Sequence, residues 1–199
     1  MPAVSYRVAV AVSGRGSNLL ALGEALAASR GAELVRVISD REAPALEASQ
    51  ARGWPIHRLA GHRDADEWLG LLRADRVDLL VLAGYLRLVP AGVVAEWNGR
   101  IINIHPALLP RHGGPGMYGL RVHAAVLAAG DRESGATVHL VDEVYDRGRI
   151  LGAGRVAVEP GDTPERLAAR VLAMEHRLLP AAVLAAARAG QPVPFTLQD

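Results

Sequence analysis

Short apolar runs and amphipathic stretches take turns along the chain. Residues 7–13 carry Val-Ala-Val-Ala-Val without a polar break, the pattern of a strand buried on both faces. A Gly-rich turn follows, and apolar residues then recur at helical spacing over 19–28. The same reading predicts strands over 34–39, 55–59 and 78–83, and helices over 44–52, 64–74 and 89–97. Strands and helices in such regular alternation imply an α/β fold, a doubly wound, mostly parallel Rossmann-like sheet with helices on both faces. After residue 106 the character changes. Residues 109–119, rich in Pro and Gly, predict a loop passing over the strand ends. Then come a helix over 120–129, a strand over 135–141, an acidic turn over 142–148 and a strand over 149–158. The last helix opens with Asp162, Thr163 and Pro164, a side-chain cap followed by proline at the first helical position, and runs to residue 188 with a kink expected at Pro180.

Between these halves lies Ile101-Ile102-Asn103-Ile104-His105-Pro106. Successive side chains of a strand face opposite ways, so Ile102 and Ile104 share one face while Ile101, Asn103 and His105 share the other. The Cα atoms of Asn103 and His105 are then about 6.6 Å apart, two strand steps, within joint reach of one small group. Pro106 has no N–H for a neighbouring strand, so pairing stops there. A carboxamide donates a fixed hydrogen bond and an imidazole changes charge near neutral pH, a pair suited to an acyl oxygen becoming an oxyanion. Two polar side chains on an otherwise all-isoleucine strand are costly to bury, which favours a functional over a structural reading.

Composition narrows the classes. The 199 residues fit one domain, 1–199, able to bury a core without staples. Half are hydrophobic and only 4% aromatic, the profile of a soluble α/β protein. The net charge of +1, with both signs interspersed, leaves no electrostatic footprint for nucleic acid or an anionic membrane. The absence of cysteine removes disulfides, thiol nucleophiles and thiolate ligands, and agrees with a reducing cytoplasm. The N-terminal stretch 1–7 lacks a basic segment followed by an apolar run, so no signal peptide is expected, and the apolar run at 79–82 is far too short to span a bilayer.

Three further places hold candidate chemistry. Gly14-Arg15-Gly16-Ser17-Asn18 leads from strand to helix, so its backbone N–H groups form either an anion site for a phosphate or simply a tight turn. Leu19 stands where a dinucleotide fingerprint has its third glycine, and no Gly-Lys-Ser/Thr follows. Asp146, in the run Asp142 to Gly148, is either a solvated turn residue or a carboxylate that holds and charges an imidazole. Glu175 falls inside the apolar arc of the last helix with Leu167, Val171, Met174, Leu178 and Leu179, so it meets either a basic partner in the core or a ligand group. His112, His123, His139 and His176 match no metal-ligand spacing, and no metal is expected.

Together the motifs Ser13 to Asn18, Leu82 to Arg87, Asn103-Ile104-His105-Pro106-Ala107-Leu108-Leu109-Pro110 and Asp142 to Gly148 resemble those of the phosphoribosylglycinamide formyltransferases, over nearly the whole chain. The Asn-x-His-Pro motif is shared with methionyl-tRNA formyltransferase and formyltetrahydrofolate deformylase, whereas the Gly-Ser-Asn turn is similar to the phosphate-receiving turn of the glycinamide enzymes. At 199 residues, the sequence is not expected to carry the extra domain of those relatives. The resemblance implies transfer of a formyl group from 10-formyltetrahydrofolate, as co-substrate, to the amine of glycinamide ribonucleotide in purine biosynthesis. It implies a catalytic set of Asn103, His105 and Asp146, in which Asn103 and a protonated His105 stabilise the oxyanion while Asp146 favours the charged imidazole and assists proton transfer to the leaving folate nitrogen. Gly14, Arg15, Gly16, Ser17, Asn18, Pro106 and Glu175 would bind the ribonucleotide. Leu86, Arg87, Leu88, Val89, Val94, Asn103, Val144, Tyr145 and Asp146 would border the folate. Residues 1–100 then form a phosphate-binding half and 101–199 a catalytic and folate-binding half, in a cytoplasmic monomer or homodimer whose partners are small molecules.

Two features depart from that pattern. Residues 113–119 are longer than the Pro-Gly-Leu-His loop of many members, and Leu172 stands where some relatives place a polar ribonucleotide contact. Three other functions compete: a formyltetrahydrofolate hydrolase, a nicotinamide-dependent oxidoreductase built on the Gly14 turn and Asp40, and a catalytically inactive folate-binding module.

Overall fold

The computed structural model describes residues 5–197, so residues 1–4 of the stretch read for a signal peptide lie outside it. In chain order the elements are β1 (Tyr6–Val12), α1 (Ser17–Ala28), β2 (Ala32–Ser39), α2 (Pro44–Gln50), β3 (Ile56–Arg58), α3 (Ala65–Ala74), β4 (Leu79–Leu82), α4 (Ala91–Glu96), β5 (Ile101–His105), α5 (Leu120–Ala128), β6 (Glu133–Leu140), β7 (Ile150–Ala157) and α6 (Pro164–Ala189). Each predicted strand and helix is present, with its ends moved by a residue or two. Local chemistry explains several boundaries. The Asp64 side chain accepts from the N–H groups of Asp66 and Glu67 to cap α3, and Thr163 does the same for Arg166 ahead of Pro164 in α6. Pro180 lies inside α6 without dividing it.

All seven strands join one sheet in the order β3-β2-β1-β4-β5-β6-β7. β1 to β5 are parallel, as the regular alternation requires, and β6 and β7 are antiparallel. The reversal follows from the path of the chain. It leaves β5 at His105 and comes back beside that same end, pairing Thr137 with His105 and His139 with Asn103.

Two apolar layers cover the sheet. One face, including Val8, Val10, Ile102, Ile104 and Val138, packs under α1, α2, α5 and α6. The other, through Ala9, Ala11, Leu80 and Leu82, packs against α3 and α4 and reaches β5 at Ile101. Asn103 and His105 come next on that second face, and there the covering elements are the loops 106–119 and 141–149 instead of a helix. The strand period thus delivers the two polar side chains to the place where the helical layer ends. Among the described residues no helix is long and apolar enough to cross a membrane.

Candidate active site

His105 is 4% exposed and held from two sides. Its Nε2 lies 2.8 Å from the carbonyl oxygen of His112. A carbonyl only accepts, so Nε2 carries the proton and, in the neutral ring, Nδ1 carries the lone pair. Nδ1 faces Asp146 Oδ2 at 3.5 Å. Burial pushes the His105 pKa down, and Asp146 and the His112 carbonyl offset only part of that effect. Burial thus favours the neutral imidazole, while the two acceptors on either side, the His112 carbonyl and Asp146, favour the charged one. The protonated His105 expected from the sequence therefore has to be formed against the desolvation of a buried ring, with one carboxylate 3.5 Å away to support it.

Asp146 is not a solvated turn residue. Its side chain is 9% exposed, and its backbone takes the left-handed conformation, φ 56°, that folds the acidic turn back over β5. Oδ2 accepts from the Gly114 N–H at 2.8 Å, and Oδ1 accepts from Asn103 Nδ2 at 3.4 Å. Burial alone would raise its pKa, but the His139 ring, His105 and the Gly114 N–H together hold it below the usual carboxylate range. Asn103 Nδ2 also lies 3.1 Å from His139 Nε2, while His139 Nδ1 donates to the Leu140 carbonyl at 2.7 Å. Both N–H bonds of the Asn103 carboxamide are thus directed at protein acceptors.

At the Gly-rich turn, Gly16 precedes α1 with φ 78°, and a Cβ there would come within 2.7 Å of Ala45 Cβ, so only glycine lets the chain turn this closely past α2. No side chain caps α1 and no acid occupies its first turn. Its leading N–H groups therefore remain available for an anion. Asn18, in that turn, reaches across to Glu175, its Nδ2 donating to Oε2 at 3.2 Å. Glu175 is 7% exposed, as the helical wheel requires, and burial pushes its pKa up to about 7. Of the two alternatives left open for Glu175, the basic partner is replaced by this carboxamide. Asn18 Oδ1 is buried without a hydrogen-bond partner, so the pair presents an acceptor to any N–H or O–H that enters.

Leu86, Leu88, Val144 and Tyr145 are large apolar side chains left exposed. Leu86 and Leu88 stand between β4 and α4, and Val144 and Tyr145 in the 141–149 loop next to Asp146, while Val89 and Val94 are buried in the second apolar layer. Ser13 Oγ accepts from the Leu86 N–H at 3.0 Å, which ties the first segment to the end of β1. Arg87 reaches Asp40 Oδ2 at 3.5 Å, and Arg41 reaches the same atom at 2.6 Å. The Asp40 side chain is 3% exposed and its Oδ2 is engaged by both guanidinium groups, which disfavours it as the ribose-binding acid of the oxidoreductase reading. Pro106, half-buried, follows His105 and ends the strand as expected.

His139, His112 and Gly114 touch the cluster but do not stand out in the sequence as part of it. For His139 there is a signal: Thr137 and His139 share one face of β6, the same alternation that singles out Asn103 and His105. For His112 and Gly114 there is none, because their loop carries no period. Among the described residues no group of three or more His, Cys, Asp or Glu side chains is placed to hold a metal ion.

A sheet that presents an acyl-transfer set of carboxamide, imidazole and carboxylate beside an anion-receptive helix start defines a group-transfer enzyme, and residues 6–183 match the family described as formyl transferase, to which the chain belongs. Within that family it is similar to the phosphoribosylglycinamide formyltransferase of Mycobacterium tuberculosis, 39% identical over 198 residues that make up 96% of this chain and 90% of that protein. It is 42% identical over 181 residues to the chloroplastic phosphoribosylglycinamide formyltransferase of Arabidopsis thaliana, covering 86% of this chain and 62% of that longer relative. Its structure superposes on the phosphoribosylglycinamide formyltransferase of Anaplasma phagocytophilum with a TM-score of 0.85 and 37% identity, over 92% of this chain and 87% of that one.

Proposed function

We propose that the protein transfers a formyl group from 10-formyltetrahydrofolate to the amine of glycinamide ribonucleotide, a step of purine biosynthesis. The observation that carries this reading is the convergence of Asn103, His105 and Asp146 on one face of β5, within 3.5 Å of one another through Asp146. Membership of the formyl transferase family and similarity to glycinamide enzymes over most of the chain support it. The bound folate supplies the formyl carbon and a leaving nitrogen, and the exposed walls formed by Leu86, Leu88, Val144 and Tyr145 fit its rings.

With His105 neutral at the outset, each group has a task. As the substrate amine adds to the formyl carbon, a C–N bond forms and the carbonyl electron pair moves onto oxygen. Asn103 exchanges its long 3.4 Å hydrogen bond to Asp146 for one to that oxygen. His105 takes the proton released by the attacking nitrogen at Nδ1, and Asp146 stabilises the imidazolium at the moment it forms. The proton then passes to the leaving nitrogen, directly or through water, as the C–N bond to the folate breaks. Gly14, Arg15, Gly16, Ser17 and Asn18 hold the ribonucleotide phosphate at the start of α1, with Glu175 and Pro106 against the rest of that substrate. Arg87 borders the folate beside Val89 and Val94.

On this reading residues 1–100 supply the phosphate turn and the Leu86 to Val94 wall, and residues 101–199 supply the catalytic groups and Glu175. The cytoplasm is the compartment we assign, and small molecules are the partners of a monomer or homodimer. The experiment follows the absorbance of a formylated folate with purified protein, with and without glycinamide ribonucleotide. Consumption only when the acceptor is present is the expected result; consumption without it identifies a hydrolase.

A further inference from the structure

His105 owes its tautomer to a backbone carbonyl, and that carbonyl belongs to a residue in an unfavourable conformation. His112 has φ 55°, a left-handed backbone that a residue with a Cβ adopts only when its surroundings hold it there. Among the described residues only two other non-glycine residues have positive φ, and one of them is Asp146, on the other side of the same imidazole. Something must hold His112 there. Its ring Nε2 meets Asp131 Oδ2 at 2.7 Å, both side chains are largely shielded, and Arg111 Nη2 meets the other oxygen of Asp131 at 2.6 Å. Asp131 stands between α5 and β6, anchored by its N–H to the Val126 carbonyl at 3.4 Å, so it belongs to the framework and not to the loop. A second tie, from the Leu109 N–H to Thr137 Oγ1 at 3.1 Å, fastens the near end of the same loop to β6.

We propose that Asp131 is a positioning residue for the formyl transfer. It grips the His112 ring, which keeps the residue 112 carbonyl on His105 Nε2 and so points the proton-accepting Nδ1 at Asp146. The proposal rests on the role given to His105 above. Without the grip, residue 112 relaxes toward negative φ, its carbonyl swings away, and the His105 ring loses the contact that chooses between its two nitrogens. Other charges facing His105 are Asp146 from the 141–149 loop, His139 from β6, His112 from its own loop and His123 from α5. The contact at Nε2 is made by the backbone carbonyl of residue 112. The carbonyl also favours the imidazolium, so its loss moves the His105 titration further down in pH.

A cavity of about 350 Å³, lined in part by Leu109, Arg111, His112, Asp131 and Arg155, already opens beside the pair, so shortening Asp131 enlarges an existing space without collapsing the core. The test combines Asp131→Ala, His112→Ala and His112→Asn, the last because asparagine tolerates positive φ and still donates to a carboxylate. Asp131→Ala and His112→Ala should each lower kcat by about ten- to a hundredfold with KM for both substrates little changed. The double variant should lose no more than either single one, because both break the same link. His112→Asn should recover most of the rate. Nitrogen-15 NMR of the ring provides a readout independent of catalysis: the wild type should carry its His105 proton on Nε2, and Asp131→Ala should give a mixture of tautomers with a lower pKa. A tautomer and pH profile that stay put in Asp131→Ala while the wild type transfers formyl groups overturn the proposal and leave the function standing. A tautomer that moves in a protein without transferase activity overturns the function instead.

Discussion

In the proposed mechanism the Asn103 carboxamide is the donor to the developing oxyanion. Loss of one oxyanion donor costs about 2.7 to 4 kcal/mol of transition-state stabilisation, so Asn103→Ala should lower kcat by roughly a hundredfold or more. A near-normal rate in steady-state kinetics removes Asn103 from the mechanism. Asp146→Asn has a signed expectation. Asp146 raises the His105 pKa against the larger effect of burial, so its neutralisation moves that pKa lower still. In the proposed mechanism neutral His105 accepts the proton, so the acid limb of the kcat/KM profile should shift to lower pH while the plateau falls, because the imidazolium formed during transfer loses its counter-charge. An unmoved limb disconnects Asp146 from His105. At this scale the sequence is informative where strand alternation applies and silent elsewhere. Asn103 and His105 are legible because period two places them side by side. Asp146 is ambiguous because nothing in a seven-residue acidic run reports the φ of 56° that turns it inward. The protonation state of His105 depends on the depth of burial, which no local pattern records.

At the scale of elements, α1 and α6 meet through Asn18 and Glu175, and each helix supports a prediction. The start of α1 has no side-chain cap and no acid, which favours an incoming phosphate. Ser17→Asp places a negative charge there and should raise KM for the ribonucleotide far more than KM for the folate. Equal losses for both substrates put the phosphate elsewhere. Glu175 in α6 links function to stability. Its folded pKa of about 7 lies above the ordinary 4.5, so the charge is a liability in the native state. That cost is absent below pH 4.5, grows as the pH rises and is complete above pH 7, reaching about 3 kcal/mol. Glu175→Gln should therefore raise the melting temperature at pH 8 and change it little near pH 4, while weakening ribonucleotide binding. Thermal unfolding at the two pH values checks this, and an equal shift at both contradicts it. The burial of Glu175 is readable from the helical wheel, but its partner is not. Asn18 is 157 positions away, and only the packing of α1 on α6 brings the carboxamide to the carboxylate.

For the whole molecule, the alternation of strands and helices is enough to indicate a doubly wound sheet, and the apolar periods locate both faces. What they omit is the direction of β6 and β7. That direction depends on where a fourteen-residue stretch, 106–119, returns the chain, and Pro- and Gly-rich loops carry no period from which a path could be read. The omission has a functional consequence. Antiparallel pairing brings His139 opposite Asn103 and starts the 141–149 loop at the strand beside β5, and this is how Asp146 reaches the site. The second apolar layer reaches β5 at Ile101, so Asn103 and His105 lie under the loops 106–119 and 141–149 instead of a helix. The most direct test of the account is a single assay: consumption of 10-formyltetrahydrofolate by the purified protein, followed by absorbance, with glycinamide ribonucleotide present or omitted. Transfer that depends strictly on the ribonucleotide, with one formylated ribonucleotide formed for each folate consumed, is the expected outcome. Consumption at the same rate without the ribonucleotide, or none in its presence, contradicts it.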